Sequence, residues 1–144
     1  MQTFLPYAEF DQSAKVLDRA RLGKQRVETL QILKALHIGG GWSNHPATKM
    51  WVGYESALIE YGIAICKEWR ARGYKDTCLE KIQAYHEHFR IQGRCVPHWL
   101  GGKDFHLSHR SNLLRKDYEY YSKHFPNEPS NLPYIWPMPK EMKK

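Results

Sequence analysis

The sequence predicts an all-α fold, and three observations carry that prediction. Apolar residues recur at helical steps, as in Val27, Leu30, Leu33 and Leu36. No stretch of useful length alternates apolar and polar residues in the manner of a half-buried strand. Glycines and prolines fall between the periodic stretches, where they end helices. The chain has 144 residues, which suits one domain, and its 42% hydrophobic and 13% aromatic content fills a core without disulfide or metal staples. The expected architecture is a compact single-domain bundle of three to five helices over residues 1–125. An extended Pro-rich tail follows over 126–144, packed on the bundle or trailing from it.

Each element has a local reason. Asp11 or Ser13 can cap a first helix that runs to about Leu36 with one kink at Gly23, and Ile32 thickens its apolar stripe. Gly39 to Gly41 stop it, and Asn44-His45-Pro46 reads as a cap followed by a first-turn proline. A second helix, about 46–72, offers Met50, Trp51, Leu58, Ile59, Ile65, Cys66 and Trp69 for burial, while Gly53 and Gly62 weaken it or admit another backbone. Gly73 is placed to cap its end. A third helix starts at the Thr77 cap and reaches about Phe89; Gly93, Pro97 and Gly101-Gly102 then make a loop. A fourth segment, about Lys103 to His124, turns Phe105, Leu113 and Leu114 inward. From Pro126 onward five prolines leave an extended tail, with Tyr134, Ile135 and Trp136 available to strap it to the body.

Charge and composition then bound the function. There are 22 Lys+Arg against 15 Asp+Glu, a net charge of +7 and an isoelectric point near 9.3, the footprint of a polyanion-binding surface. The same composition excludes a disordered tail protein, a collagen-like repeat and a disulfide-dense secreted scaffold. No window approaches the run of about eighteen apolar residues that a membrane span needs, and the Met1–Pro6 start lacks the basic and apolar regions of a signal peptide. Cys66, Cys78 and Cys95 are odd in number and far apart, as expected of reduced thiols in the core of a cytoplasmic protein. The expectation is a soluble, cytoplasmic, monomeric domain.

Three constellations could carry chemistry. On the first helix Arg21, Lys24, Gln25, Glu28 and Gln31 recur at spacings of three and four and share a polar face. Glu28 is the only acid on it. A carboxylate one turn from Lys24 and two from Arg21 suits stabilising a developing cation or taking a proton; by spacing alone the commoner reading is a solvated face with an i,i+4 ion pair. Near the end, His109-Arg110 and Arg115-Lys116-Asp117-Tyr118-Glu119-Tyr120-Tyr121 interleave cations with aromatics. Cations contact phosphates and tyrosines pack on sugars or unpaired bases; the other reading turns the tyrosines to the core. Third, Cys95-x-x-His98 and His106-x-x-His109 have zinc-compatible spacing. Eight histidines in a chain of this length also produce such spacings by chance, so no metal or other cofactor is assigned. No Walker loop, G-x-S-x-G elbow, H-E-x-x-H or dinucleotide fingerprint is present.

Several stretches, in order, carry a family resemblance. They are Leu17-Asp18, Leu22 and Arg26-Val27-Glu28; Gly41-Trp42-x-Asn44-His45-Pro46; Lys67-Glu68-Trp69-Arg70-Ala71-Arg72-Gly73-Tyr74; and Arg115 to Tyr121. Over about residues 12–124 the chain resembles the pyrimidine-dimer DNA glycosylases of the phage endonuclease V type. The resemblance implies a small, basic, all-helical enzyme that needs no cofactor and acts on double-stranded DNA carrying a damaged or modified pyrimidine. It implies two steps, cleavage of the glycosidic bond and a nick at the abasic sugar, through a Schiff base between an N-terminal α-amine and C1′. Glu28 matches the family's helix-borne glutamate. Arg21, Lys24 and Arg26 match positions that hold phosphates beside the lesion, and a base would leave the stack. The family's pattern has a small residue after the initiator Met, whereas Gln2 is bulky enough to block Met removal. The nucleophile is therefore the Met1 amine or, failing that, Lys24, and loss of the lyase step is the third possibility. Candidate DNA contacts are Arg19, Arg21, Gln25, Arg26, His45, Arg110, Arg115, Lys116, Tyr118, Tyr120 and Tyr121. Two other readings stand beside this one: a non-catalytic helical nucleic-acid-binding module on the same scaffold, and a zinc-stabilised binding domain.

Overall fold

Asp18 breaks the first predicted helix in two. Its backbone is extended and its carboxylate accepts the Arg21 N–H, so it caps a new helix one residue after fully buried Leu17. The computed structural model describes residues 2–89 and 96–137. Among them lie α1 (Phe10–Val16), α2 (Arg19–Ile38), α3 (Pro46–Lys49), α4 (Glu55–Ala71), α5 (Cys78–Gln83), α6 (Lys103–Lys116) and α7 (Tyr118–Tyr121), with short 3₁₀ turns at Gly41–Asn44 and Ala84–His86. No strand occurs among the described residues, and the fold is all-α. No helix there is long and apolar enough to cross a membrane.

Among the described residues seven helices stand where three to five were expected, because three predicted long helices are interrupted. α2 runs uninterrupted through Gly23, where a Cβ would lie 2.9 Å from the Trp69 ring. Gly53, at φ +85, separates α3 from α4. Asp117, at φ −153, separates α6 from α7 and caps the second with its carboxylate. The third predicted helix stops as α5 at Gln83 and tightens into a 3₁₀ turn. Its cap is the Asp76 carboxylate, which accepts the N–H groups of Cys78 and Leu79 at 3.0 Å each, while the Thr77 side chain makes no cap bond.

The core forms where α2 packs on α4, with α1 against α4 and α5 against both. The buried face of α2 is Leu22, Gln25, Thr29, Ile32, Leu33 and Ala35; of the stripe read from sequence, Ile32 and Leu33 lie in the core, Leu30 and Leu36 pack half-buried against it, and Val27 falls outside. Strict steps of three drift around a helix of 3.6 residues per turn, and Val27, at the start of that stripe, is 45% exposed. Gly62 allows the close approach of these helices: a Cβ there would sit 2.7 Å from Thr29 Cγ2 and 3.0 Å from Ile82 Cδ1. Gly62→Ala should therefore destabilise the fold by about 1–2 kcal/mol, because the overpacking exceeds the roughly 1 kcal/mol gain in helix propensity. A denaturant midpoint at or above the parent's would contradict this.

Two stretches without regular structure are held against α6. On one side, His106 Nδ1–H donates to the Leu5 carbonyl at 2.8 Å and the Leu5 N–H donates to His109 Nδ1 at 2.9 Å. The Gly101 N–H donates to His106 Nε2, which leaves the proton of that ring on Nδ1. On the other side, residues 130–135 are pinned by buried polar groups of the helix: Ser111 Oγ accepts the Leu132 N–H, Asn112 Nδ2 donates to the Leu132 carbonyl, and Ser108 Oγ accepts the Ile135 N–H. Of the four zinc-spaced residues, Cys95 lies outside the described residues, His98 bonds the Tyr54 hydroxyl, and the other two hold Leu5.

Candidate active site

The polar face of α2 opens onto a cleft of about 400 Å³. Arg21, Lys24, Gln25 and Glu28 line it from the helix, Gln2 and Phe4 from the N-terminal segment, Lys116 from the end of α6, and Tyr134 from the stretch beyond α7. Glu28 is the only acidic residue in this lining. Met1 lies outside the described residues.

Gln25 ties the wall together. It is 1% exposed, and all of its amide bonding is internal. Nε2 donates to Glu28 Oε1 at 2.9 Å and to the Gln2 carbonyl at 2.6 Å, while Oε1 accepts the Phe4 N–H at 3.0 Å and the Tyr61 hydroxyl. The Tyr61 phenol is pushed well above its ordinary pKa by burial and then by the Glu28 charge, so it remains the donor in this network. Trp51 Nε1–H donates to Thr3 Oγ1, which fixes the next residue of the segment. The Glu28 carboxylate and the backbone of Gln2 are thus held by one side chain rather than placed independently. No ion pair joins Glu28 to Lys24 among the described residues, so the solvated i,i+4 pair is not what this face forms.

The cations of the cleft differ in how firmly they are set. Arg21 is held by Asp18 at 3.1 Å, while Lys24 and Lys116 are exposed at the rim. Burial would raise the Asp18 pKa, but hydrogen bonds from Tyr121 and Arg21 more than offset it and hold the carboxyl below its ordinary value. The remaining predicted residues lie elsewhere. Arg26 pairs with Asp76 at 2.7 Å and stacks 4.6 Å from the Trp69 ring. Arg110 is engaged by Glu128 and the Pro6 carbonyl, and Arg115 reaches the carbonyls of Ser130 and Leu132. Arg19 lies over Tyr74. Tyr121 is fully buried with its hydroxyl on Asp18, Tyr120 is half-buried against it, and Tyr118 is exposed. His45 accepts the Ala47 N–H to cap α3, and its ring sits between those of Trp42 and Trp136. Burial and then the positive charge of the amino terminus lower its pKa.

A family model described as pyrimidine dimer DNA glycosylase matches residues 1–82, more than half of the chain. The chain belongs to that family. No curated protein and no solved structure matches it. The matched part holds Gln2, Arg21, Lys24, Gln25 and Glu28, so most of the cleft wall belongs to the glycosylase-family segment. Lys116 and Tyr134 complete the cleft from beyond it.

Sequence reasoning missed Gln2 and Tyr134 as parts of this wall and missed the tethering role of Gln25. One signal was available for Gln25: it sits three residues after Leu22 and four before Thr29, on the face that turns inward. A polar side chain on a buried face must find internal partners.

Proposed function

We propose that this chain is a DNA glycosylase with an abasic-site lyase step, acting on damaged or modified pyrimidines in duplex DNA. The observation that carries the reading is the cleft in which Glu28 and Gln2 are bonded to one buried amide, beneath a rim of Arg21, Lys24 and Lys116. In this reading Met1, which precedes Gln2 in the sequence, supplies the α-amine. An α-amine, with an ordinary pKa of about 8, is partly neutral at physiological pH and so nucleophilic.

The chemistry follows from those groups. The Met1 nitrogen bonds to C1′ as the glycosidic C1′–N bond breaks, and the base leaves with its electron pair and takes up a proton. Glu28 stabilises the cationic sugar that develops; the C1′–O4′ bond then breaks with its electron pair going to O4′, which takes up the proton lost by the attacking nitrogen, and the nitrogen lone pair completes the C1′=N Schiff base. Glu28 then takes a proton from C2′, and the electron pair released expels the 3′ phosphate by β-elimination. Arg21, Lys24 and Lys116 hold backbone phosphates, and the enzyme itself supplies every group these steps need.

Borohydride trapping on duplex oligonucleotides carrying an abasic site or a cyclobutane dimer tests the proposal. A covalent product is expected, and it should vanish when the N-terminal amine is blocked. Loss only in Lys24→Ala would transfer the nucleophile to Lys24. No product on either DNA, with salt-dependent binding retained, would leave the non-catalytic binding module as the better reading.

A further inference from the structure

Five buried side-chain atoms lack a hydrogen-bond partner among the described residues: Gln2 Nε2, Thr29 Oγ1, Thr48 Oγ1, His109 Nε2 and Tyr134 Oη. Two of the five, Gln2 and Tyr134, belong to residues that line the cleft. A buried donor without a partner is costly, on the order of 1–3 kcal/mol, and each such group calls for an explanation.

Both groups are held in place by other bonds. Gln2 is 5% exposed, and its Oε1 accepts the Thr3 N–H at 2.9 Å. That bond fixes which end of the amide is oxygen and leaves Nε2–H₂ as the unpartnered end. Tyr134 lies between two pinned residues, Leu132 on Ser111 and Asn112 and Ile135 on Ser108. Its ring packs edge-on to His109 and against Trp136. Its phenol is pushed up to about 12, chiefly by burial, so it keeps its proton. The two groups are neutral donors on residues that line a cleft whose cations already suit phosphate, and neutral donors suit a neutral acceptor.

We infer that Gln2 Nε2 and Tyr134 Oη hydrogen-bond the carbonyl edge of the damaged pyrimidine in the cleft, making them specificity-determining residues of the base-release step. The inference rests on the proposed glycosylase reading. It also assigns a role to the stretch beyond α7, which lies outside the family-matched segment. A thymine-type ring offers two carbonyl oxygens, whereas a cytosine-type ring replaces one of them with an amine donor. An abasic sugar offers neither.

The test compares one enzyme on two duplexes, one with a thymine cyclobutane dimer and one with an abasic site. Tyr134→Phe removes the hydroxyl and keeps the ring. It should lower kcat/KM on the dimer relative to the abasic site by about 3- to 10-fold, the effect of one hydrogen bond to a neutral group. Gln2→Glu retains the acceptor for the Thr3 N–H and puts an oxygen where the donor stood, so it should lower the same ratio at least as far. Equal losses on both substrates in both variants would mark a merely structural role and overturn the inference, as would no loss on the dimer. A parent chain silent on both duplexes would remove the glycosylase reading itself, and this inference with it.

Discussion

Glu28→Gln should reduce formation of the trapped DNA adduct by about 10²- to 10⁴-fold, the usual range for losing a positioned acid or base, while DNA binding changes little. The amide has nearly the shape of the carboxylate, so the cleft keeps its walls. It carries no charge to stabilise a cationic sugar and no basic oxygen to take the C2′ proton. A glutamine at this position can still accept the Gln25 bond through its oxygen, so Gln2 and Phe4 stay where Gln25 holds them. Single-turnover trapping and salt-dependent binding, measured on the same oligonucleotide, separate the two effects. Full activity in the variant would remove Glu28 from the mechanism, and lost binding with normal turnover of bound DNA would reduce it to a positioning group.

Acidification should destabilise the protein from about pH 6.5 downward, through the two histidines that hold Leu5. Burial, and then the neighbouring His106, push the His109 pKa down to about 3. Burial likewise lowers that of His106, against the bond to Leu5 that favours its proton. In both cases the folded pKa lies below the unfolded one, so the unfolded chain binds protons first. The stabilisation is complete above the ordinary value of 6.5 and is lost as pH falls toward 3. His109 contributes a slope of up to about 1.4 kcal/mol per pH unit in that window, and His106 adds to it in the same direction. A protonated His109 could no longer accept the Leu5 N–H, and the segment carrying Gln2 would lose an anchor. His109→Asn keeps an acceptor near the Nδ1 position and removes the titration. It should flatten the stability–pH profile between pH 6.5 and 4, whatever its effect at pH 7, and an unchanged slope in urea titrations would contradict the assignment.

The helical class was legible because the apolar spacing and the glycine and proline breaks speak for it directly. The breaks inside the long helices were not, since Asp18 and Asp117 act through cap bonds that have the same residue types as any exposed acid. Glu28 stood out as a lone acid among cations, and the structure keeps it in a cleft with Arg21 and Lys24. Lys116 reaches the same cleft, but Tyr120 and Tyr121 from the same motif turn to the body, the alternative the motif left open. Arg26 could not be separated from Arg21 by spacing, because its partner Asp76 is 50 residues away. Tyr134 was legible only as a strap. Its place in the wall depends on Ser108, Ser111 and Asn112, whose spacing on α6 acquires meaning once residues 130–135 lie along it.

The bonds that join Leu5 to His109 and Asp18 to Tyr121 span 104 and 103 residues of chain. Closing loops of that length carries a larger entropy cost than forming local helix contacts, and long-range contacts slow folding. The α2–α4 core can form from residues that emerge early in synthesis, but the wall containing Tyr134 cannot. A growing chain that has not yet exposed its last dozen or so described residues therefore has the glutamate and the core without a finished cleft. The cleft is completed only once the stretch around Tyr134 has emerged, after the scaffold is already in place.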